Sequence, residues 1–249
     1  MKMKRSILCM TMILSIGVLT ACGTPEKKEA KVNDDMKKGT WVVYEAQAGT
    51  SLKDLEDTRV KLENRAKTLY TSDAKAYIQE DKKIKVNIPE KYDVEKELDE
   101  LARPGKLIFA VNAKEGYKPT KEELESETYI KLKDIYYKVW LPGTDVEKAV
   151  ATTQIDDRNI KENVVTITFN KDGEEKFSEM TSSNVGAQSF IILDGQVIIS
   201  PMIHEAITSG CCEISGGFES IEDASLVAAQ ISSGFLKTEV KKVDCGTEK

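Results

Sequence analysis

The feature that most constrains the fold is the order of strand and helix patterns between residues 39 and 111. Strand patterns are short runs of β-branched and aromatic residues such as Thr40–Ala46 (TWVVYEA), and helix patterns place leucines such as Leu55 and Leu62 on one face. In chain order, these patterns are a strand at 40–46, a helix at 51–69, strands at 75–79 and 83–88, a helix beginning at 93 and a strand at 106–111. This β-α-β-β-α-β order predicts an α+β fold with a ferredoxin-like base at 39–111, in which helices cover one face of an antiparallel sheet.

A second set of α+β patterns follows at 112–218. Within it, Asp194-Gly195 separates two apolar runs and predicts a two-residue hairpin turn, because such turns need positive φ. Other patterns predict short helices at 144–150 and from Pro201 to Gly210. A helix beginning at Ser220 and a final strand follow. We assign 219–243 to elements that return to the base and 244–249 to a tail.

Residues 1–21 have the pattern of a secretion signal. A basic start precedes the apolar run Ile7–Leu19, whose 13 residues are fewer than the roughly 20 that a permanent membrane helix needs. Leu19-Thr20-Ala21-Cys22 follows and resembles the lipobox of bacterial lipoproteins, in which the lipidated cysteine becomes the N-terminus. We therefore expect a diacylated or triacylated Cys22 as the membrane anchor and residues 22–38 as a flexible tether. A signal cleaved at small residues, with Cys22 incidental, is the alternative.

The five cysteines differ in their expected fates. Cys9 lies within the signal and Cys22 is the expected anchor, which leaves Cys211, Cys212 and Cys245. Neighbouring residues on a strand point to opposite faces, so Cys211 and Cys212 cannot both pair with Cys245. Free thiols and a single bridge to Cys245 both fit this pattern.

Charge and motif content exclude several classes of function. Without the first 21 residues, the chain carries 33 basic and 42 acidic residues, a net charge of −9, which argues against nucleic-acid binding. The single histidine, His204, excludes most zinc and hydrolytic sites, which use two or more histidines. The sequence also contains no phosphate-binding loop, serine-hydrolase elbow or calcium-binding loop. We therefore predict a protein that is not an enzyme and that has no cofactor or metal.

Several motifs between residues 163 and 236 occur together in a fixed order. They are NVVTITFNKDGEEKFSEMTSSNVG, IILDGQVIISPMI, ISGGF and SIEDASLVAAQISSGFL. Together with GTWVVYEA, IKVNIPE and KLIFAV upstream, they resemble the large extracytoplasmic domain of SecD, an accessory subunit of the bacterial Sec machinery. The resemblance covers nearly all of residues 39–243 and implies a ferredoxin-like base with an inserted head at 112–218. Since no later stretch is apolar enough to span a membrane, we expect a stand-alone lipoprotein without the transmembrane region of that family.

The resemblance implies a non-catalytic accessory or binding role in protein export. It implies contact with unfolded polypeptide or with Sec translocon components, on the extracytoplasmic face of the cell membrane or on an outer membrane where one exists. The binding residues that we predict lie on and beside the hairpin: Phe190, Ile192, Asp194, Gly195, Ile198 and Pro201. A binding or scaffold lipoprotein with the same fold but no link to secretion is the second hypothesis. An enzyme with an unrecognised site is the third.

Overall fold

The computed structural model describes residues 39–79, 82–89, 97–155 and 159–248, apart from the side chains of residues 97 and 248. The predicted signal at 1–21 and the predicted tether at 22–38, with Cys22, lie outside the described residues. Within them the fold is α+β, as predicted. It contains a base, formed by the strands and helices at both ends of the described chain, and a head, which comprises β4 to β11.

The base is built on one four-stranded antiparallel sheet. Its strands and long helix are β1 (Gly39–Ala46), α1 (Leu52–Leu69), β2 (Lys75–Ile78), β3 (Lys83–Ile88) and β12 (Val240–Glu248). The sheet order is β12-β1-β3-β2, which is the ferredoxin-like arrangement. Helix α1 begins at the N-cap Ser51, whose hydroxyl accepts a hydrogen bond from the backbone N–H of Asp54. The core between sheet and helices contains fully buried side chains such as Val42, Leu62 and Ile84.

The fourth strand of the base is β12, and our assignment of the strand at 106–111 to the base is wrong. The structure places β4 (Leu107–Asn112) in the head, between β6 and β9. Five of its six residues are buried, which suits a central strand that is covered on both faces. Strand β12 instead pairs with β1 from Val240 to Glu248, so the predicted tail at 244–249 largely belongs to the base sheet.

The head contains two antiparallel sheets and the helices that pack on them. The five-stranded sheet has the order β10-β9-β4-β6-β5, and the three-stranded sheet has the order β11-β8-β7. Their remaining strands are β5 (Tyr129–Leu132), β6 (Ile135–Pro142), β7 (Val146–Ile155), β8 (Lys161–Phe169), β9 (Ser189–Leu193), β10 (Gln196–Ile199) and β11 (Cys211–Ser215). The helices beyond α1 are α2 (Glu97–Leu101), α3 (Lys121–Glu125), α4 (Lys171–Ser183) and α5 (Ile221–Ser233).

The main head core lies between the two sheets, α4 and α5. At its centre, the ring of Phe109 lies 5.3 Å from that of Phe169 and 5.8 Å from that of Phe177, both in edge-on geometry. Helix α5 contacts α1 of the base as well as β7 and β8 of the head. The Ser232 hydroxyl also donates to the Ala149 carbonyl and accepts from the Ala149 N–H, which holds α5 against β7. Helix α5 therefore joins the two halves of the fold.

Two of the predicted helices do not form. Residues 143–145 make a single 3-10 turn, and the chain then continues as β7 because it pairs with β8, with Ala149 opposite Ile167. The segment after Pro201 is irregular because its backbone bonds to the neighbouring chain, as when Ile203 N–H donates to the Ala187 carbonyl. In both places pairing with distant residues overrides the local helical pattern.

Candidate functional site

The predicted hairpin turn forms at Asp194-Gly195. Both residues have positive φ, 50° and 76°, and they connect the directly paired residues Leu193 and Gln196. The Asp194 carboxylate also accepts a hydrogen bond from the Lys106 N–H at 2.8 Å, and the Asp194 N–H donates to the Lys106 carbonyl at 3.0 Å. The turn is therefore tied to the segment that leads from the base into β4.

Phe190 and Ile192 are core residues of the head. They are only 9% and 0% exposed, and they share a sheet face with Ile108 and Tyr137. The Phe190 and Tyr137 rings meet edge to face with centroids 4.8 Å apart. Phe190 is therefore part of the core, whereas Ile192 also lines a shallow depression on this face of the sheet.

Asp194 and Ile198 line an open groove between the edge of β10 and the first half of α5, which we call the hairpin groove. Its volume is about 590 Å³. The apolar residues that line it, besides Leu193, are Val197, Ile198, Phe218, Leu226 and Val227. Of these, Val197 is 42% exposed, which places an apolar side chain in contact with water.

Gly195 and Pro201 lie elsewhere. Gly195 lines a separate shallow depression of about 440 Å³ on the other face of the sheet, beside Ile108 and Ile130. Pro201 is exposed, and its carbonyl accepts hydrogen bonds from the backbone N–H and the hydroxyl of Ser189. The structure therefore brings Asp194 and Ile198 into one groove and Ile192 and Gly195 into a separate depression. Phe190 lies in the core and Pro201 on the surface.

The charged residues of the hairpin groove are mostly acidic. Among the described residues that line it, they are Glu100, Asp194 and Asp223, with Arg103 as the single basic residue. Glu100 pairs with Arg103 at 3.1 Å, whereas Asp223 accepts from the Ser220 N–H in the capping box of α5. One carboxylate oxygen of Asp194, Oδ2, is buried and has no hydrogen-bond partner among the described residues. The groove therefore carries acidic residues beside its apolar lining.

Behind the groove, Arg65 of α1 is fully buried at the junction of base and head. Its guanidinium uses all five N–H donors. The acceptors are the carbonyls of Leu101, Arg103 and Pro104, which belong to the segment entering the head, and the Ser233 hydroxyl and Gly234 carbonyl, which belong to the segment leaving it. One side chain thus bonds to both chain segments that connect base and head.

The charge of Arg65 is balanced through space by Asp194. Burial lowers the pKa of the Arg65 guanidinium to about 10, while the nearby Asp194 carboxylate acts in the opposite direction. The guanidinium therefore stays protonated at neutral pH. Asp194 consequently has a structural role in addition to its place in the groove, because it forms the turn and supplies the counter-charge for the junction.

Sequence reasoning assigned Arg65 no buried role at the junction, although one cue was present. Arg65 follows Leu62 by three residues and precedes Ala66, so it lies on the apolar face of α1. An arginine on such a face indicates a buried cation that needs acceptors. Phe218 and Leu226 of the groove have no comparable cue, since apolar residues at such spacing are equally typical of a core.

The described residues contain no group of three or more histidine, cysteine or acidic side chains placed to hold a metal ion. Cys211, Cys212 and Cys245 are free thiols, which agrees with the first of the two cysteine alternatives. Cys245 packs in the base, whereas Cys212 packs in the head core. Burial raises the pKa of the Cys212 thiol to about 12, so this thiol is a poor nucleophile at neutral pH.

Comparisons with known proteins identify relatives of both base and head. A family model of the SecDF P1 head subdomain matches residues 118–238. The protein translocase subunit SecDF of Thermus thermophilus is 33% identical over 236 residues, which make up 87% of this chain and 31% of that protein. A solved structure of SecDF, described as a membrane component that enhances protein export, is 30% identical with a TM-score of 0.63. The match covers 82% of this chain and 98% of that one. The chain belongs to the SecDF P1 domain family.

Further relatives agree with this assignment. A SecDF crystal structure in a super-membrane-facing form is 31% identical with a TM-score of 0.68, and the match covers 89% of this chain and 32% of that one. The SecD subunit of Petrotoga mobilis is 29% identical over 187 residues, which make up 39% of that protein. The chain thus spans roughly a third of the curated relatives that it matches first.

The SecDF P1 domain is a non-catalytic accessory module of the translocon, which agrees with our prediction that the chain is not an enzyme. The α+β fold with base and head also agrees with the solved SecDF structures. Within the described residues, no helix is both long and apolar enough to cross a lipid bilayer.

Proposed function

We propose that this SecDF P1-type protein is an accessory module of protein export, held by a lipid on Cys22 at the extracytoplasmic face of the cell membrane. In this role its head contacts polypeptides during their export. The membership in the SecDF P1 family carries the link to export. The hairpin groove supports the contact with polypeptide, since it combines exposed apolar side chains with the edge of a sheet.

Site-specific crosslinking in cells tests the contact. A photo-crosslinking residue replaces Val197 in the groove, and a secretory reporter is stalled part-way through export. The matched control position is Val150 of β7, which is 38% exposed compared with 42% for Val197 but does not line the groove. We expect an adduct with the reporter from position 197 and not from 150, and only while the reporter is in transit.

Equal adducts from both positions, or none from either, would contradict the proposed contact. Absence of any adduct would favour the second hypothesis, a lipoprotein of the same fold that binds or scaffolds other partners without a role in secretion. The reporter is a defined protein, so the result does not depend on identifying an unknown captured partner.

The lipid anchor has its own test in Cys22→Ser. We expect this variant to leave the membrane fraction, because each acyl CH₂ lost from the bilayer removes about 0.8 kcal/mol of membrane affinity. Fractionation after a high-salt wash measures this. Cys9→Ser is the matched control and should remain membrane-bound, since Cys9 lies in the apolar part of the predicted signal. Membrane retention of Cys22→Ser after the wash would show that the lipid is not the anchor.

A further inference from the structure

Strand β10 is the outermost strand of the five-stranded sheet, on the side of the hairpin groove. Leu193 and Gln196 flank the two-residue turn and pair directly, so in an antiparallel ladder they exchange both backbone hydrogen bonds. The next pair, Val197 with Ile192, is then a non-hydrogen-bonded pair, in which the backbone N–H and carbonyl groups of the two residues point away from each other. The N–H and carbonyl of Val197 are therefore directed towards the free edge of the sheet.

The groove beside this edge has a volume of about 590 Å³. Gly217, at the other side of the groove, has φ of 139°, and no atom of the described residues lies within 4 Å of the position where a Cβ would stand. Phe218 and Val227 are partly buried and pack against the edge of the head core, with part of each side chain left accessible. A chain that paired with β10 would therefore place alternate side chains against an apolar wall.

The charges of the groove distinguish between classes of polypeptide. Arg103 offsets Glu100, and Arg65 offsets Asp194 from behind, which leaves Asp223 without a basic partner among the described groove residues. The chain outside the signal is also acidic, with a net charge of −9. Apolar segments that carry basic residues fit this surface better than segments that carry acidic ones.

We propose that the hairpin groove binds an extended apolar segment with basic flanks, which adds to the sheet as a strand along β10. This inference rests on the proposed function, because it specifies how the head contacts a polypeptide. Backbone pairing supplies affinity with little dependence on sequence, while the apolar wall and Asp223 select the class of segment. Such a mode of binding suits a module that meets many different exported chains.

Binding of a defined peptide to the Val197→Pro variant tests this mode. The probe is a fluorescent nonapeptide with alternating valines and a lysine at each end, and the protein is the chain from residue 22 onwards with Cys22→Ser. Proline is tolerated on edge strands but lacks the N–H that the added strand would use. We expect Val197→Pro to weaken binding at least about tenfold, and Val197→Thr, which keeps the N–H and the β-branch, to change it less than about threefold.

The peptide itself supplies a second control that leaves the protein unchanged. N-methylation of alternate residues blocks one edge of the peptide strand, and N-methylation of the other residues blocks the opposite edge. We expect one methylated peptide to lose binding and the other to retain it, because only one edge of the added strand pairs with β10. A peptide with glutamates in place of the lysines should bind more weakly than the parent peptide.

Equal binding by Val197→Pro and Val197→Thr, both folded by circular dichroism, would overturn the inference. So would equal binding of both N-methylated peptides. Self-association of the protein that is lost in Val197→Pro would identify a second copy of this chain as the occupant and would also overturn it. If reporter adducts form in cells but Val197→Pro binds peptide normally, the proposed function stands and strand addition fails. If the peptide results hold without adducts, the proposed function fails and the groove chemistry stands.

Discussion

Replacing Arg65 with methionine is expected to lower the free energy of unfolding by about 3–5 kcal/mol, the range found when one partner of a buried charge network is removed. Methionine fills a similar volume but donates no hydrogen bond. It would leave four carbonyls and one hydroxyl without the donor that they now share. It would also leave the Asp194 carboxylate, whose Oδ2 is already buried without a partner, without its counter-charge. Urea denaturation followed by circular dichroism measures the change.

Arg103→Met is the matched control for this prediction. The Arg103 side chain is 48% exposed and its ion pair within the described residues is with Glu100, three residues earlier in the chain, so we expect its loss to cost less than about 1 kcal/mol. Arg65→Lys should lie between the two, because lysine keeps the charge but has three donors instead of five. If Arg65→Met were no more destabilising than Arg103→Met, the junction of base and head would not depend on the buried guanidinium.

A double-mutant cycle with Asp194→Asn separates the electrostatic part of this effect. If Asp194 is the counter-charge of Arg65, the two substitutions together should cost less than the sum of their single effects, by about 0.5–3 kcal/mol. Additive effects would instead restrict Asp194 to its role in the hairpin turn. The cycle thus distinguishes a residue that only shapes the turn from one that also stabilises the junction.

Local sequence patterns predicted the elements whose stabilising contacts are near in the chain. The Ser51 cap of α1 and the Ser220–Asp223 capping box of α5 need only three residues of context. The Asp194-Gly195 turn needs only two residues with positive φ. These three features formed where the sequence placed them.

Patterns that depend on distant partners were misassigned. The strand at 107–112 was correctly predicted as a strand, but its neighbours β6 and β9 are contributed by later parts of the chain. Residues 144–150 have a helical pattern, yet Ala149 and Val150 pair with β8, and Ala149 also bonds to Ser232 of α5. Because strand partners are determined by three-dimensional packing, one-dimensional periodicity identifies a strand more readily than the sheet to which it belongs.

The same distinction between local and distant contacts applies to the candidate site. The turn residue Asp194 follows from local chemistry, whereas the acceptors of Arg65 lie 36 to 169 residues away in the sequence. The groove wall at Phe218 and Val227 arises only when α5 packs beside β10. The sequence pattern therefore predicted the hairpin side of the groove, whereas the α5 side follows only from the tertiary packing.

Phe109→Ala is expected to lower the free energy of unfolding by about 3–5 kcal/mol, as for other fully buried aromatic residues. Phe109 is 1% exposed and contacts the rings of Phe169 and Phe177, so its removal leaves a cavity where two sheets and α4 meet. Phe235→Ala is the matched control. That side chain is 39% exposed, and its truncation should change the free energy of unfolding by less than about 1 kcal/mol.

The same variant tests where the strand at 107–112 belongs. In the observed fold, Phe109 stabilises the head core, so hydrogen exchange in Phe109→Ala should accelerate more for amides of β4 and β9 than for amides of β1 and β3. If this strand were instead part of the base, the order would be reversed. A larger acceleration of exchange in β1 and β3 than in β9 would therefore contradict the head assignment, because β1 and β3 lie in a different core from Phe109.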